Sequence, residues 1–123
     1  MAFNFTWISN VSDKPYITID SHERLYISSP ARDLIGVKGG RHFKLVAGYD
    51  FTSGRIILAK PENVGALNIL PFNFDKRSSS RVKPFVEKAQ IKDKLPTRYY
   101  YVGEKAGEYP KGTFAFEQYQ AEK

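Results

Sequence analysis

The chain contains no cysteine, one tryptophan, one methionine and only two histidines among 123 residues. The missing cysteine excludes a disulfide framework, a thiolate zinc site and a cysteine nucleophile, and it suits a reducing compartment. Neither histidine lies in a metal-ligand spacing: His22 and His42 each fall in or beside an expected turn. No apolar run approaches the roughly 20 residues needed to span a bilayer. The opening MAFNFTWISN has neither the basic region nor the continuous apolar stretch of a secretory signal, so a cytoplasmic protein is expected. A phosphate loop, a dinucleotide fingerprint and a nucleophile elbow are all missing. These absences predict a non-enzyme, with no catalytic residue, no metal and no cofactor.

What is present is charge and aromatic residues. Nineteen basic residues stand against 13 acidic ones, a net charge of +6, in a composition that is 41% hydrophobic and 26% charged. That is a globular balance with a basic excess. Counterion release gives such a chain affinity for polyanions, although a soluble protein can be basic for no further reason. Residues 16–62 carry 7 basic and 5 acidic side chains; residues 63–123 carry 11 and 7.

Taken in order, residues 1–14 place Phe3, Phe5 and Trp7 on alternate positions, either a short half-buried strand or an aromatic arm for a partner subunit. Ile17 and Ile19 alternate with polar neighbours, and so do Leu25 and Ile27 after the polar Asp20–Glu23. This predicts a hairpin. Ser28-Ser29-Pro30 reads as a helix start, with Ala31, Leu34 and Ile35 facing inward and Gly36 as a left-handed stop. After the Lys38-Gly39-Gly40-Arg41 turn, Phe43, Leu45 and Ala47 alternate, as do Ile56 and Leu58. The intervening Gly48–Gly54 reads as a hairpin loop, and Pro61 ends the last strand. Four short strands around one short helix cannot enclose a good core, so two copies are expected to share one.

Residues 67–120 are expected to form a separate small βαββ module for oligomerisation or auxiliary binding. Ile69–Phe74 reads as a strand and Asp75–Arg81 as a polar, basic connection. Val82, Phe85, Val86 and Ala89 have helical spacing, with Pro84 in the first turn. Arg98–Val102 and Thr113–Phe116 are β-prone. No internal repeat between the halves is evident. Tyr99, Tyr100 and Tyr101 could stack on bases, but successive strand positions alternate faces, which favours core or interface roles.

The stretch Ile17-Thr18-Ile19-Asp20, Arg24-Leu25-Tyr26-Ile27, Arg32, Ile35-Gly36-Val37, Gly40, Phe43, Leu45 and Ile56-Ile57-Leu58 resembles the swapped-hairpin DNA-binding domain of AbrB-type (AbrB/MazE/SpoVT-like) transition-state regulators and related antitoxins. The resemblance spans roughly residues 16–61. It implies an α+β, mostly β fold in which the 15–62 module forms a barrel-like homodimer, or a tetramer, through interleaved hairpins. It also implies a nucleoid-associated transcription regulator that contacts double-stranded DNA through Arg24 and Arg32. Three positions depart from the family pattern: Glu23 replaces the glycine before the arginine, Ser28 replaces a proline, and Asp33 replaces a second arginine.

Guanidinium groups grip phosphates or bond to guanine edges in bidentate fashion, which makes arginine at a rigid loop base chemically apt. The alternative is that Arg24 and Arg32 are solvated, or pair with Glu23 and Asp33. Lys38, Arg41 and Lys44 could add phosphate contacts near the helix exit. Lys76, Arg77, Arg81 and Lys83 surround three serines, either as an auxiliary phosphate-contacting surface or as a solvated loop. A second functional reading is a protein-interaction module of antitoxin-like or inhibitory type, with the same fold and little DNA binding.

Overall fold

The structure, a computed structural model, describes residues 4, 14–65, 69–103 and 109–118. The expected aromatic arm therefore lies, except for Asn4 and Lys14, outside the described residues. The elements are β1 (Tyr16–Ile19), β2 (Arg24–Ile27), α1 (Ser29–Ile35), β3 (Phe43–Asp50), β4 (Arg55–Ala59), β5 (Phe72–Phe74), β6 (Ser79–Arg81), α2 (Lys83–Ala89), β7 (Thr97–Tyr101) and β8 (Thr113–Gln118). Among the described residues the eight strands form one antiparallel, barrel-like sheet in the order β5-β3-β4-β8-β7-β1-β2-β6. The β5–β6 connection nearly closes it, with Asp75 N donating to Ser79 O at 2.9 Å.

Local chemistry explains the elements. Ile17, Ile19, Leu25 and Ile27 are fully buried while their strand neighbours face outward, the alternation a one-sided strand requires. Ser28 caps α1, its hydroxyl accepting from Ala31 N at 3.3 Å, a contribution of about 1 kcal/mol. Gly36, at φ 90, supplies the left-handed stop. In α2, Phe85, Val86 and Ala89 are buried, and Pro84 sits in the first turn, where its missing N–H costs nothing.

Several expectations change. The Asp75–Arg81 stretch is a tight turn followed by β6, so the second half is ββαββ rather than βαββ. β5 begins only at Phe72, leaving Ile69 and Leu70 outside it at 54% and 87% exposure. β3 runs on to Asp50, which shortens the expected Gly48–Gly54 loop. The segments 15–62 and 67–120 follow one another in sequence but are not separate in packing. β5 lies beside β3, β8 beside β4, and β7 beside β1. One core cluster takes Leu25, Leu45 and Ile56 from the first half and Phe74, Tyr99 and Phe116 from the second. A core was expected to be shared between two copies; the core seen here is built from the two halves of a single chain.

The halves also match in register. Exchanging β1–β4 for β5–β8 leaves the cyclic strand order unchanged. The Ile17–Tyr99 pair of β1 and β7 corresponds to the Leu45–Phe72 pair of β3 and β5. The β2–β6 ribbon maps onto itself, Arg24–Arg81 exchanging with Tyr26–Ser79. The β4–β8 ribbon does the same about Ile57–Ala115. The internal repeat that the sequence conceals is thus a pseudo-twofold of ββαββ units.

Candidate nucleic-acid interface

The two hairpin tips are built alike. Asp20 Oδ1 accepts from His22 N and Arg24 N, both at 2.9 Å. Asp75 Oδ1 accepts from Arg77 N at 2.9 Å and Ser79 N at 3.1 Å. Aspartate suits this position because its short carboxylate satisfies turn N–H groups two and four residues on. The fourth turn residue, Glu23 or Ser78, has φ 63 in both tips. Its carbonyl is then received by the opposite half: Ile27 N donates to Ser78 O at 3.0 Å, and Val82 N to Glu23 O at 2.8 Å. The tips therefore sit at opposite ends of the β2–β6 ribbon.

On the ribbon's outer face Arg24 stands directly opposite Arg81, and both are exposed. Like charges directly opposite on a sheet repel, and neither arginine has an ion-pair partner among the described residues. Glu23 does not pair with Arg24, nor Asp33 with Arg32. Two adjacent guanidinium groups with no internal anion form a surface suited to phosphate.

Arg32 has a different role from the one expected. Its Nη1 donates to Ile27 O and to Ser78 Oγ, each at 2.9 Å. Gly39 lies against the same guanidinium; a Cβ there would fall 3.0 Å from Arg32 Nε. Arg32 thus clamps the tip of the second half onto α1. The pseudo-equivalent of Arg32 in α2 is Val86, which is buried, and among the described residues tip one has no such clamp. Glu23 Oε2 is buried there without a hydrogen-bond partner among the described residues.

The remaining basic candidates divide into groups. The Lys38–Arg41 turn meets the second tip, Gly40 N donating to Lys76 O at 3.2 Å. This joins Lys38 and Arg41 to Lys76 and Arg77, residues far apart in sequence and all exposed. Lys44 lines an adjoining cleft of about 490 Å³ with Lys38, Arg41, Lys60 and the carboxylate-bearing Glu62. Lys60 is a cation that sequence reasoning missed; its Nζ lies 3.1 Å from where a Cβ on Gly36 would be, close to the C-terminal end of α1. Lys83 approaches Glu87 at 4.0 Å on the exposed face of α2. The three serines do not form a helix-start anion site: Ser78 and Ser80 are buried, and Ser79 lies on β6.

Of the three tyrosines, Tyr99 is core, its hydroxyl pushed up to about 12 by burial and by the neighbouring Tyr49. Tyr100 faces outward beside Tyr16, whose ring carries the Arg98 guanidinium at 4.2 Å. Tyr101 packs on Phe114 and Phe116. Phe51, Ile69, Leu70 and Phe72 line an apolar groove of about 560 Å³ with Tyr49 and Phe85. Among the described residues no group of three or more His, Asp or Glu side chains could hold a metal, and no helix is long and apolar enough to cross a membrane.

No protein-family model matches the chain, and no curated protein or solved structure matches it significantly.

Proposed function

We propose that the protein is a duplex-DNA-binding regulator of the swapped-hairpin, AbrB-like type, in which one chain supplies both ββαββ units. The carrying observation is the Arg24–Arg81 pair, without an ion-pair partner among the described residues, on the outer face of the β2–β6 ribbon, one register step from the Leu25–Ser80 pair about which the ribbon maps onto itself. In a swapped-hairpin unit the first hairpin of each half is completed by the second hairpin of the other. The β1–β7 and β5–β3 pairings support that description. Phosphate is the natural counterion for two adjacent guanidinium groups, and a net charge of +6 draws the polyanion in. The binding unit in this reading is intramolecular, and no second copy is needed to build the face.

The test is a salt titration of binding to a fluorescent duplex by the wild type, Arg24→Ala and Arg81→Ala. Each variant is expected to bind several-fold more weakly, with the log–log salt slope reduced by about 1, and to melt at an unchanged temperature. Unchanged affinity and slope in both variants would sink the reading.

A second reading, the protein-interaction module, is favoured by the apolar groove, where Phe51 and Leu70 are 70% and 87% exposed. A stoichiometric protein partner that survives nuclease treatment, and is lost with Leu70→Asp but retained with Arg24→Ala, would favour it.

A further inference from the structure

The cleft beside the carbonyl end of α1 gathers four cations and one carboxylate. Lys38 and Arg41 come from the turn after α1, Lys44 from β3 and Lys60 from the exit of β4, with Glu62 the acidic residue of the lining. None of the five forms an ion pair among the described residues. Their placement follows from the chain's geometry. Ala59 ends β4 as a buried residue, and Pro61 opens a single helical turn, Pro61–Asn63, which carries Lys60 and Glu62 off the sheet and onto the cleft. Lys60 reaches α1: its Nζ lies 3.1 Å from where a Cβ on Gly36 would be, so the bare glycine leaves room for the ammonium. A cation is favoured at the carbonyl end of a helix, and this one covers partial negative charge that would repel an anion.

The rest of the lining is not basic. Val37, Phe43 and Pro61 are half-buried apolar residues, and the Phe43 ring is fixed by stacking on Phe74 at 4.9 Å and 5°. Along the turn, Val37 N and Gly40 N donate to carbonyls, but the N–H groups of Lys38, Arg41 and His42 have no acceptor among the described residues. Cations and free N–H groups suit phosphate, and an apolar wall suits the face of a base. A lone carboxylate repels phosphate but accepts from ribose hydroxyls and exocyclic amino groups. The volume, about 490 Å³, lies in the range of small-molecule sites. A duplex backbone would use the cations alone, and Glu62 would work against it.

We infer that this cleft is a site for a free nucleoside di- or triphosphate. Lys38, Arg41, Lys44 and Lys60 take the phosphates, and Glu62 takes a hydroxyl or amino donor of the nucleoside. The inference is independent of the duplex-DNA reading, because the cleft shares no residue with the Arg24–Arg81 pair.

The test is isothermal titration calorimetry on the full chain, with the four ribonucleoside diphosphates and inorganic pyrophosphate as probes. At least one nucleotide is expected to bind, one per chain, about tenfold more tightly than pyrophosphate. Lys44→Ala/Lys60→Ala and Lys38→Ala/Arg41→Ala are each expected to lose at least about tenfold, and Lys92→Ala/Lys94→Ala, outside the cleft, less than about twofold. Glu62→Ala is expected to bind pyrophosphate more tightly and the nucleotide more weakly, closing the gap between them. Lys38, Arg41, Lys44 and Glu62 are exposed, so unchanged melting curves are the fold control, and the Lys38/Arg41 variant carries the test if loss of Lys60 lowers stability. Anisotropy on a short fluorescent duplex separates the two sources of phosphate: Lys44→Ala/Lys60→Ala should keep its duplex affinity within about threefold. No nucleotide binding by the wild type, pyrophosphate bound as tightly as every nucleotide, or equal loss of duplex and nucleotide in that variant would overturn the proposal.

Discussion

Glu23 and Ser78 occupy the same place in two hairpin tips, and replacing each with glycine should move stability in opposite directions. Both sit at φ 63, where a Cβ costs about 1–2 kcal/mol relative to the right-handed region. Glycine removes that strain but gives back roughly 0.4–1 kcal/mol through the greater freedom of the unfolded chain. The backbone term alone thus favours glycine by about 0.5 kcal/mol at either site. The side chains decide the rest. Glu23 Oε2 is buried without a partner, and removing an unsatisfied group at a half-buried position returns about 1 kcal/mol. Ser78 is 1% exposed and its Oγ accepts from Arg32 Nη1 at 2.9 Å. A hydrogen bond to a charged group is worth about 1.5–3 kcal/mol, and its loss leaves that guanidinium nitrogen with Ile27 O alone.

The balance for Glu23→Gly is a gain of about 1–1.5 kcal/mol, and for Ser78→Gly a loss of about 1–2 kcal/mol. For a chain of this size that is a melting temperature raised by about 4–6 °C in the first variant and lowered by about 4–8 °C in the second. Thermal unfolding followed by circular dichroism at fixed pH and salt reads both. Shifts of the same sign would refute the assignment of the two side chains to opposite roles. Equal shifts would mean that the φ 63 strain dominates and the Arg32 clamp contributes nothing.

The acid limb offers an independent check. Asp50 lies at the end of β3, and the Tyr109 hydroxyl donating to its Oδ2 at 2.6 Å, followed by the Thr52 N–H, lowers its carboxyl from 3.8 to about 2. A carboxylate with a depressed folded value adds stability that is present above its unfolded value and lost as pH falls through the folded one. Tyr109→Phe should therefore weaken the pH dependence of the melting temperature between about 4 and 2, with little change at neutral pH. An identical acid limb in wild type and Tyr109→Phe would show that the contact does not persist in solution.

Most of the first half was legible from short-range chemistry. Ile17, Ile19, Leu25 and Ile27 gave the hairpin, and Ser28, Pro30 and Gly36 gave the helix with its two ends. β6 was hidden because Ser79-Ser80-Arg81 has no β propensity of its own. It becomes a strand by pairing with β2, where buried Ser80 lies opposite Leu25. The repeat was hidden for a related reason. Across the matched hairpin and helix stretches, Asp20/Asp75 and Pro30/Pro84 are the identities, and the turn and cap positions have diverged, Glu23 to Ser78 and Gly36 to Gln90. An aspartate three residues before a left-handed position, followed by a proline ten or nine residues after it, was the available signal. No pattern of hydrophobic spacing could reveal that Arg32 reaches a serine 46 residues away.

Joining both units in one chain changes what substitution can do. In a dimer of identical units, each favourable or unfavourable residue would appear twice. A glutamate at both tips would bury two unpartnered carboxylate oxygens and set two negative charges on the ribbon beside its arginines. An Arg32 in both helices would demand a hydroxyl at both tips and would displace Val86, which fills the core with no exposure. The single chain escapes these constraints. It carries the clamp and the lysine–arginine tip at one end, and the apolar Val86 with the acidic tip at the other. Retaining a twofold backbone while abandoning twofold chemistry is possible because the fold is specified by register and buried residues, whereas the binding face is set by exposed ones. The Arg24–Arg81 pair lies where those two requirements meet: its register belongs to the pseudo-twofold, but its partners across that axis are Ser79 and Tyr26. The exposed chemistry of the ribbon is thus already asymmetric, with an arginine pair beside the Glu23 tip and Tyr26–Ser79 beside the lysine–arginine tip.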